Sequence, residues 1–409
     1  MKDSNRLFFS SSTKFLFNGD QVIVLNRLNG QWMKIPKQCH DILMMCIEKK
    51  YSLVHLLDLL ADDDDRRYMQ QLVELLESME CLNKNVEQRL ESISFAITHR
   101  CNLKCIHCIV DAEYGPKNKD YFDTETICSF LDKIIAANPR RIVLTGGEPL
   151  LRTDFINILA YLRRNFTGVI TLMTNGTMIS PNNVEEIVSR VNSIDISLDG
   201  ADEQSCSVIR GKGVFNKVVS NIKLLQSKGF SKISTSMVLS ENNARYAKQY
   251  FELNESLGTK PMLRALSYDG RAKDNREILD NYVTTERVPH ETKSVTSMNR
   301  GCCCTAGYNQ LTIEANGDIF PCNLFVTPEF KLGNINEVQG LDEIMQINEG
   351  YFISPCMQHF EPDRFTICKD CNVNYFCWSC LYSMYKLDET EFNERCKHNK
   401  QLLTHIWEE

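Results

Sequence analysis

The sequence lacks any apolar run long enough for targeting or membrane insertion. Met1 to Ser12 holds no stretch that could act as the h-region of a signal peptide. Nowhere do apolar residues approach the roughly 18 in succession that a bilayer span needs. The expectation is a cytoplasmic chain with no membrane partner. Surplus positive charge is also missing. Lys and Arg total 46 against 53 Asp and Glu, a formal net charge of -7. That balance argues against a nucleic-acid partner, whose phosphates demand a basic surface, and leaves peptide substrates of either sign open. No internal repeat and no low-complexity tract interrupts the 409 residues. This length predicts two or three domains rather than one core, and the 43% hydrophobic share is that of ordinary globular proteins.

Cysteine is what the chain has in excess, with 18 residues. A disulfide framework belongs to oxidising compartments and small secreted chains. Neither is indicated, so metal ligation is the better reading. The cysteines concentrate at 101–108 and 302–396. Cys39, Cys46, Cys81, Cys128 and Cys206 read instead as small buried hydrophobes, and Cys356 is open between that role and ligation.

Three segments follow from the patterning. Residues 1–85 contain no motif cysteine. Val22–Leu28 and Gln31–Ile35 read as a hairpin turning at Asn29-Gly30, followed by helices over Pro36–Glu48, Ser52–Leu60 and Asp64–Met79. Pro36 suits a first helical turn, and Asp62–Asp65 place negative charge at the third helix start, a solvated helix start rather than a metal site. This order suggests a small winged-helix-like domain. From 92 to 300 strands and helices alternate, with apolar runs at Ile93–Thr98, Arg141–Thr145, Val169–Thr174, Ser193–Leu198, Lys232–Leu239 and Met262–Leu266. Helical stretches such as Thr124–Ala137, Val184–Val191 and Val214–Lys228 separate them, with Gly229 placed to end the last. Six such units predict an α/β fold, a partial (β/α)6 barrel with its chemistry at the C-terminal strand ends. Residues 301–409 are cysteine-dense and poor in periodic segments, so metal coordination is expected to hold them together.

Cys101-Asn-Leu-Lys-Cys105-Ile-His-Cys108 follows directly on the first barrel strand. Three thiolates on one short loop can bind three irons of a 4Fe–4S cubane and leave the fourth iron without a protein ligand. A three-cysteine zinc site would need a fourth ligand, and His107 is too close to Cys108 in sequence to reach the same tetrahedral ion easily. The spacing CxxxCxxC resembles the radical S-adenosylmethionine (SAM) superfamily. That resemblance implies that the open iron takes the amino and carboxylate groups of SAM, and that reductive cleavage releases a 5′-deoxyadenosyl radical. Gly146-Gly147-Glu148-Pro149 after the second strand resembles the family's motif for the SAM amino group. Glycines permit close backbone approach there, and Glu148 offers a carboxylate to an amine. Asn175-Gly176 ends the third strand. Ser197-Leu-Asp199-Gly200 ends the fourth, where the family contacts ribose and the methionyl moiety, and Arg210 is similar to the arginine that pairs with the SAM carboxylate. Each motif alone is weak, whereas four in this order, each ending a strand, are specific. His99, His107 and Asn102 read as packing or supporting residues.

The tail resembles a SPASM domain, an extension that carries auxiliary clusters. Cys304, Gly317 and Cys322 fit the first half of its pattern, and Cys368, Cys371, Cys377 and Cys396 fit the second. The resemblance implies a distal 4Fe–4S cluster on Cys368, Cys371, Cys377 and Cys396. It implies a nearer one on Cys304, Cys322 and Cys380, with Cys302 a further candidate. Two departures stand out: Cys377-Trp-Ser-Cys380 is one residue short of the family spacing, and Cys302-Cys303-Cys304 is a triplet. These departures leave two expectations for the nearer cluster, an open iron or recruitment of Cys356. A zinc knuckle on the pairs Cys368/Cys371 and Cys377/Cys380 is the alternative, though five residues between pairs is short for it.

The same resemblance extends to substrate. SPASM enzymes act mostly on peptides, and residues 1–85 resemble the element that captures leader peptides, which can add as a strand to an exposed sheet edge. The implied function is a radical SAM maturase that crosslinks a ribosomally made precursor peptide through a thioether or carbon–carbon bond. An auxiliary cluster would accept the electron released on ring closure, and a flavodoxin or ferredoxin would supply the reducing electron. The alternatives are an anaerobic sulfatase-type maturase forming formylglycine and a non-catalytic iron–sulfur module. In the former group an aspartate follows the second SPASM cysteine, where this chain has Asn323. No catalytic base is legible, and neither is the oligomeric state.

Overall fold

The computed structural model of the chain describes residues 6–85, 89–115, 119–239, 245–280, 300–344, 357, 360–378 and 380–408. Cys356 lies outside the described residues. In chain order the elements begin with β1 (Thr13–Asn18), β2 (Gln21–Asn26), β3 (Trp32–Pro36), α1 (Lys37–Glu48), α2 (Leu53–Asp58) and α3 (Asp63–Ser78). Next come β4 (Ser92–Ala96), β5 (Arg100–Cys101), β6 (Glu113–Tyr114), α4 (Thr124–Ala136), β7 (Arg141–Thr145) and α5 (Phe155–Asn165). They continue with β8 (Val169–Thr174), α6 (Val184–Val188), β9 (Ser193–Ser197), α7 (Glu203–Arg210), α8 (Val214–Ser227) and β10 (Ile233–Leu239). Then follow α9 (Ala247–Leu257), β11 (Lys260–Ala265), α10 (Arg276–Asp280), β12 (Gln310–Ile313), β13 (Asp318–Phe320) and β14 (Gly333–Asn334). The chain ends in α11 (Asn374–Cys377), α12 (Leu381–Tyr385) and α13 (Glu389–Leu403). Among the described residues no helix is long and apolar enough to cross a membrane.

Two compact units result, one of residues 1–88, 292–308 and 346–409, the other of residues 89–291 and 309–345. In the first, β1, β2 and β3 form an antiparallel sheet in that order. The hairpin at Asn29-Gly30 is present, with Gly30 at φ +70, where a side chain would be strained. β1 has no clean alternation of buried and exposed residues; pairing with β2 defines it. Val22 and Val24 bury against Leu43, Leu56, Leu72 and Leu76 from the three helices. Asp62 caps α3 by accepting from the Asp64 N–H at 2.7 Å, and the aspartates behind it are exposed.

Tail residues complete this unit. Lys14 pairs with Asp363 at 2.8 Å, Trp32 packs edge-on to Phe376, and Lys34 donates to the Trp407 carbonyl. Cys46, Cys81 and, in the other unit, Cys206 are wholly buried, as expected of cysteines acting as small hydrophobes. Cys39 and Cys128 are half-buried.

The second unit is built on a parallel sheet. Strands β4, β7, β8, β9, β10 and β11 lie side by side in that order, each parallel to its neighbour. Ile93, Phe95, Ile142, Leu144, Ile170, Leu172, Ile194 and Ile196 give the sheet a fully or almost fully buried apolar lining. Crossover helices such as α4, which buries Ile127, Phe130, Leu131 and Ile134, pack on it. The barrel stays open: the free edge of β4 is taken by β12, also parallel, and β13 and β14 extend the sheet antiparallel. These three strands come from the stretch where the sequence shows no periodic element. They are too short for a period to register.

Candidate functional site

β4 delivers the chain into the loop carrying Cys101, Cys105 and Cys108. Cys101 and Cys105 are buried and Cys108 half-buried. Burial pushes the Cys101 thiol up to about 11, with Glu148 and the other two thiols adding to it. The Cys105 thiol is likewise raised by burial, against a lowering influence from Arg210. No disulfide joins the described cysteines.

The motif residues of the parallel strands converge on this loop. A Cβ on Gly146 would come within 2.4 Å of the Thr98 carbonyl oxygen, and one on Gly147 within 2.4 Å of that of Arg100. The close approach these glycines permit is thus to the backbone entering the cysteine loop, which Gly147 N–H and Glu148 N–H then bind at Thr98 and Arg100. Glu148 is wholly buried. Its Oε1 accepts from the Leu150 N–H and the Thr174 hydroxyl, and its Oε2 from the Asn175 N–H. Burial raises its pKa to about 7. The carboxylate offered by the sequence for a ligand amine is engaged by three protein donors that fasten the end of β7 to the end of β8.

Asn175 then reaches the loop itself. Its Nδ2 donates to Asn102 Oδ1 at 2.9 Å and faces the Cys101 sulfur at 3.8 Å, while Asn102 donates to Thr177. Ser197 stands half-buried at the end of β9. Asp199, at φ +56 and fully buried, is the hub of the far side. It accepts from Arg210 Nε at 2.5 Å, shares a 2.8 Å contact with His107 Nε2 and receives the Val238 N–H. Burial opposes its charge, but Arg210 and His107 hold the carboxyl well below the usual range. Arg210 Nη1 lies 3.7 Å from the Cys105 sulfur.

Gly270 and Arg271, just after β11, were not visible as site residues in the sequence. Arg271 Nη1 donates to the Cys105 carbonyl at 3.1 Å, Nη2 to that of Ala112 at 2.6 Å, and its own N–H to that of Cys108 at 2.9 Å. A Cβ on Gly270 would fall 2.5 Å from the Cys108 carbonyl oxygen. The only available signal was a glycine-arginine pair in the loop beyond the last barrel strand.

In the first unit Cys368, Cys371, Cys377 and Cys396 line one cavity, together with Trp378 and Arg395. Trp378 is wholly buried, and its indole N–H finds no oxygen or nitrogen acceptor. Burial pushes the Cys368 thiol up to about 11, and the Trp378 N–H works against that rise. Asn399 donates to the Cys377 sulfur at 3.2 Å. Cys304 and Cys380 are close enough for Cys380 to act electrostatically on the Cys304 thiol. Cys302 is 2% exposed, and Cys322 lies in the second unit after β13.

These donors fit iron–sulfur clusters. They are grouped thiols, buried or half-buried, and the buried Trp378 N–H beside four of them has no protein partner, a donor of the kind that cluster sulfurs use. Among the described residues no three His, Cys, Asp or Glu side chains converge to hold a single metal ion. The profile of the radical SAM superfamily matches residues 95–253, and that of the iron–sulfur cluster-binding SPASM domain matches 303–372. The chain carries a radical SAM domain followed by a SPASM domain. Its relatives include the mycofactocin maturase MftC of Mycolicibacterium smegmatis, 25% identical over 63% of this chain and 70% of that protein. Another is the antilisterial bacteriocin subtilosin biosynthesis protein AlbA of Bacillus subtilis, 28% identical over 59% of this chain and 56% of that one. Streptococcus suis SuiB bound to its precursor peptide SuiA is similar with a TM-score of 0.56. That match is 14% identical and covers 96% of this radical SAM chain and 98% of SuiB, a likeness of fold.

Proposed function

We propose that this chain is a radical SAM maturase that modifies a ribosomally made precursor peptide by forming an intrapeptide crosslink, a thioether or a carbon–carbon bond. The observation that carries the reading is that, at the C-terminal ends of the parallel strands, the cysteine loop meets Asn175 at Cys101 and the Asp199–Arg210 pair at Cys105. Cys101, Cys105 and Cys108 hold a 4Fe–4S cluster in this reading, and the SAM subsite is built from Gly146, Gly147, Glu148, Asn175, Ser197, Asp199 and Arg210. Cluster and SAM together supply a 5′-deoxyadenosyl radical able to take an unactivated hydrogen from the peptide.

The protein's own residues prepare that site. Glu148 fixes the ends of β7 and β8 relative to each other, so that the Gly146-Gly147 backbone and Asn175 keep one arrangement. Asn102 and Asn175 restrain the loop on one side. Asp199 restrains Arg210 and His107 on the other, leaving the Nη1 edge of Arg210 beside Cys105. Cys368, Cys371, Cys377 and Cys396 hold the distal auxiliary cluster. Cys302, Cys304, Cys322 and Cys380 are assigned to the nearer one, Cys322 on the Cys304–Gly317–Cys322 spacing alone.

Residues 1–85 are proposed as a winged-helix leader-binding domain. Its support is a three-stranded antiparallel sheet backed by three helices, with β1 and β3 as edges to which a leader could add a strand. A cytoplasmic setting and a flavodoxin or ferredoxin as electron donor complete the proposal. Anaerobic incubation with SAM, a reductant and the precursor encoded beside the gene tests it. The expected result is 5′-deoxyadenosine together with a peptide lighter by two hydrogens, whose fragmentation is suppressed between the joined residues. A product labelled by an aldehyde-reactive probe would transfer the assignment to formylglycine formation.

A further inference from the structure

Arg27 sits in the turn after β2 and is wholly buried. Its Nε and Nη2 bind the two oxygens of Glu361 at 3.1 and 3.0 Å. The remaining nitrogen, Nη1, donates to the backbone carbonyls of Cys304 at 2.9 Å and Cys302 at 3.3 Å. The guanidinium lies over the Tyr308 ring, 5.3 Å from its centre, and the Tyr308 hydroxyl binds the same Glu361 carboxylate.

A buried ion pair is a poor source of stability, because withdrawing two charges from water costs about what their attraction returns. Its presence here is better explained by geometry. An arginine fork can grip a carboxylate with one edge and present a fixed donor with the other. That donor reaches the cysteine triplet. Groups of this kind orient metal ligands, and local charge and hydrogen bonding set cluster potentials. Glu361 holds the Nε and Nη2 edge of the guanidinium and Nη1 faces the cysteine carbonyls, so the positive end of the pair is turned toward the triplet.

We infer that Arg27 is a positioning residue for the auxiliary cluster on the 302–304 stretch, holding the cysteine backbone with its fork and biasing the cluster with its charge. The turn after β2 is then part of that cluster's surroundings as well as of the leader-binding sheet. The inference rests on the proposed assignment of Cys302 and Cys304 as ligands.

The test uses full-length, anaerobically reconstituted protein, EPR-monitored redox titration and the rate of iron release to a chelator. The other two clusters serve as internal references. Arg27→Gln is expected to move one auxiliary midpoint to more negative potential and to speed release of about four of some 12 irons at least tenfold. Arg27→Lys keeps the charge without the fork, so it should speed release and leave the potential near its original value. If Arg27→Gln does not fold, Arg27→Gln combined with Glu361→Gln leaves no buried charge unpaired and should shift the midpoint in the same negative direction by a smaller amount, with the same faster iron release. Unchanged potentials and release rates in that double variant overturn the inference. A Cys302→Ala/Cys304→Ala protein that retains its full iron overturns the ligand assignment instead, whatever Arg27 does.

Discussion

Asp199 accepts the Nε–H of Arg210 at 2.5 Å, and both side chains are buried. The same carboxylate oxygen meets His107, two residues beyond Cys105, while Arg210 Nη1 lies beside the Cys105 sulfur. One carboxylate thus holds His107 on the cysteine loop and Arg210 beside it. Asp199→Asn leaves the Arg210 charge buried without a counter-ion, and the expected cost is about 3–5 kcal/mol. Denaturant unfolding of the anaerobic protein measures it. A loss below about 1 kcal/mol would show that Asp199 is not holding the arginine.

Changing Cys105 to Ala should abolish 5′-deoxyadenosine formation and remove about four irons per chain. Chromatography of the SAM reaction, with an iron assay on the same preparation, decides this. Undiminished product from the variant would remove the cysteine loop from the chemistry.

Cys396→Ser should also remove about four irons, here from the cavity lined by Cys368, Cys371, Cys377 and Cys396. SAM cleavage in the absence of peptide should persist, because the two thiol groups are separate. Should the purified wild type contain about four irons and one zinc, the tail is a zinc knuckle and the cavity a structural site.

Arg271 is tied to the cysteine loop by donors to the carbonyls of Cys105 and Ala112. Arg271→Ala forfeits charge-assisted bonds worth about 1.5–3 kcal/mol each in partly buried surroundings. Iron release from the SAM cluster to a chelator should accelerate by roughly tenfold or more, the equivalent of about 1.4 kcal/mol. Release at the wild-type rate would mean that the loop holds its shape without this support.

Deleting residues 1–85 removes Arg27 and leaves Glu361, itself 4% exposed, without its cation. The truncated protein should bind precursor more weakly, and it should also melt at lower temperature and lose iron from one auxiliary cluster. Calorimetry with a labelled leader and an iron assay separate these effects. Full iron and an unchanged melting temperature would make the N-terminal segment a detachable reader.

Local chemistry in the sequence determined much of this protein. Period and end signals placed the six parallel strands, the Asn29-Gly30 hairpin and the aspartate-rich start of α3 within a residue or two. The thiol spacing marked Cys101, Cys105 and Cys108, and the spacing of Cys368, Cys371, Cys377 and Cys396 grouped thiols that do line one cavity. These features are legible because a helix, a turn and a chelating loop are each set by neighbours along the chain. Tertiary structure alone decided the rest. β1 and β12 to β14 exist through pairing with strands already in place, and Glu148 meets its partners only when β7 and β8 lie side by side. Arg271 acts on the Cys105 carbonyl across 166 residues and Arg27 on the Cys302 carbonyl across 275. A backbone carbonyl is the same acceptor at every position, so a side chain that binds one leaves no pattern of residue types to read. Only folding specifies which carbonyl it meets.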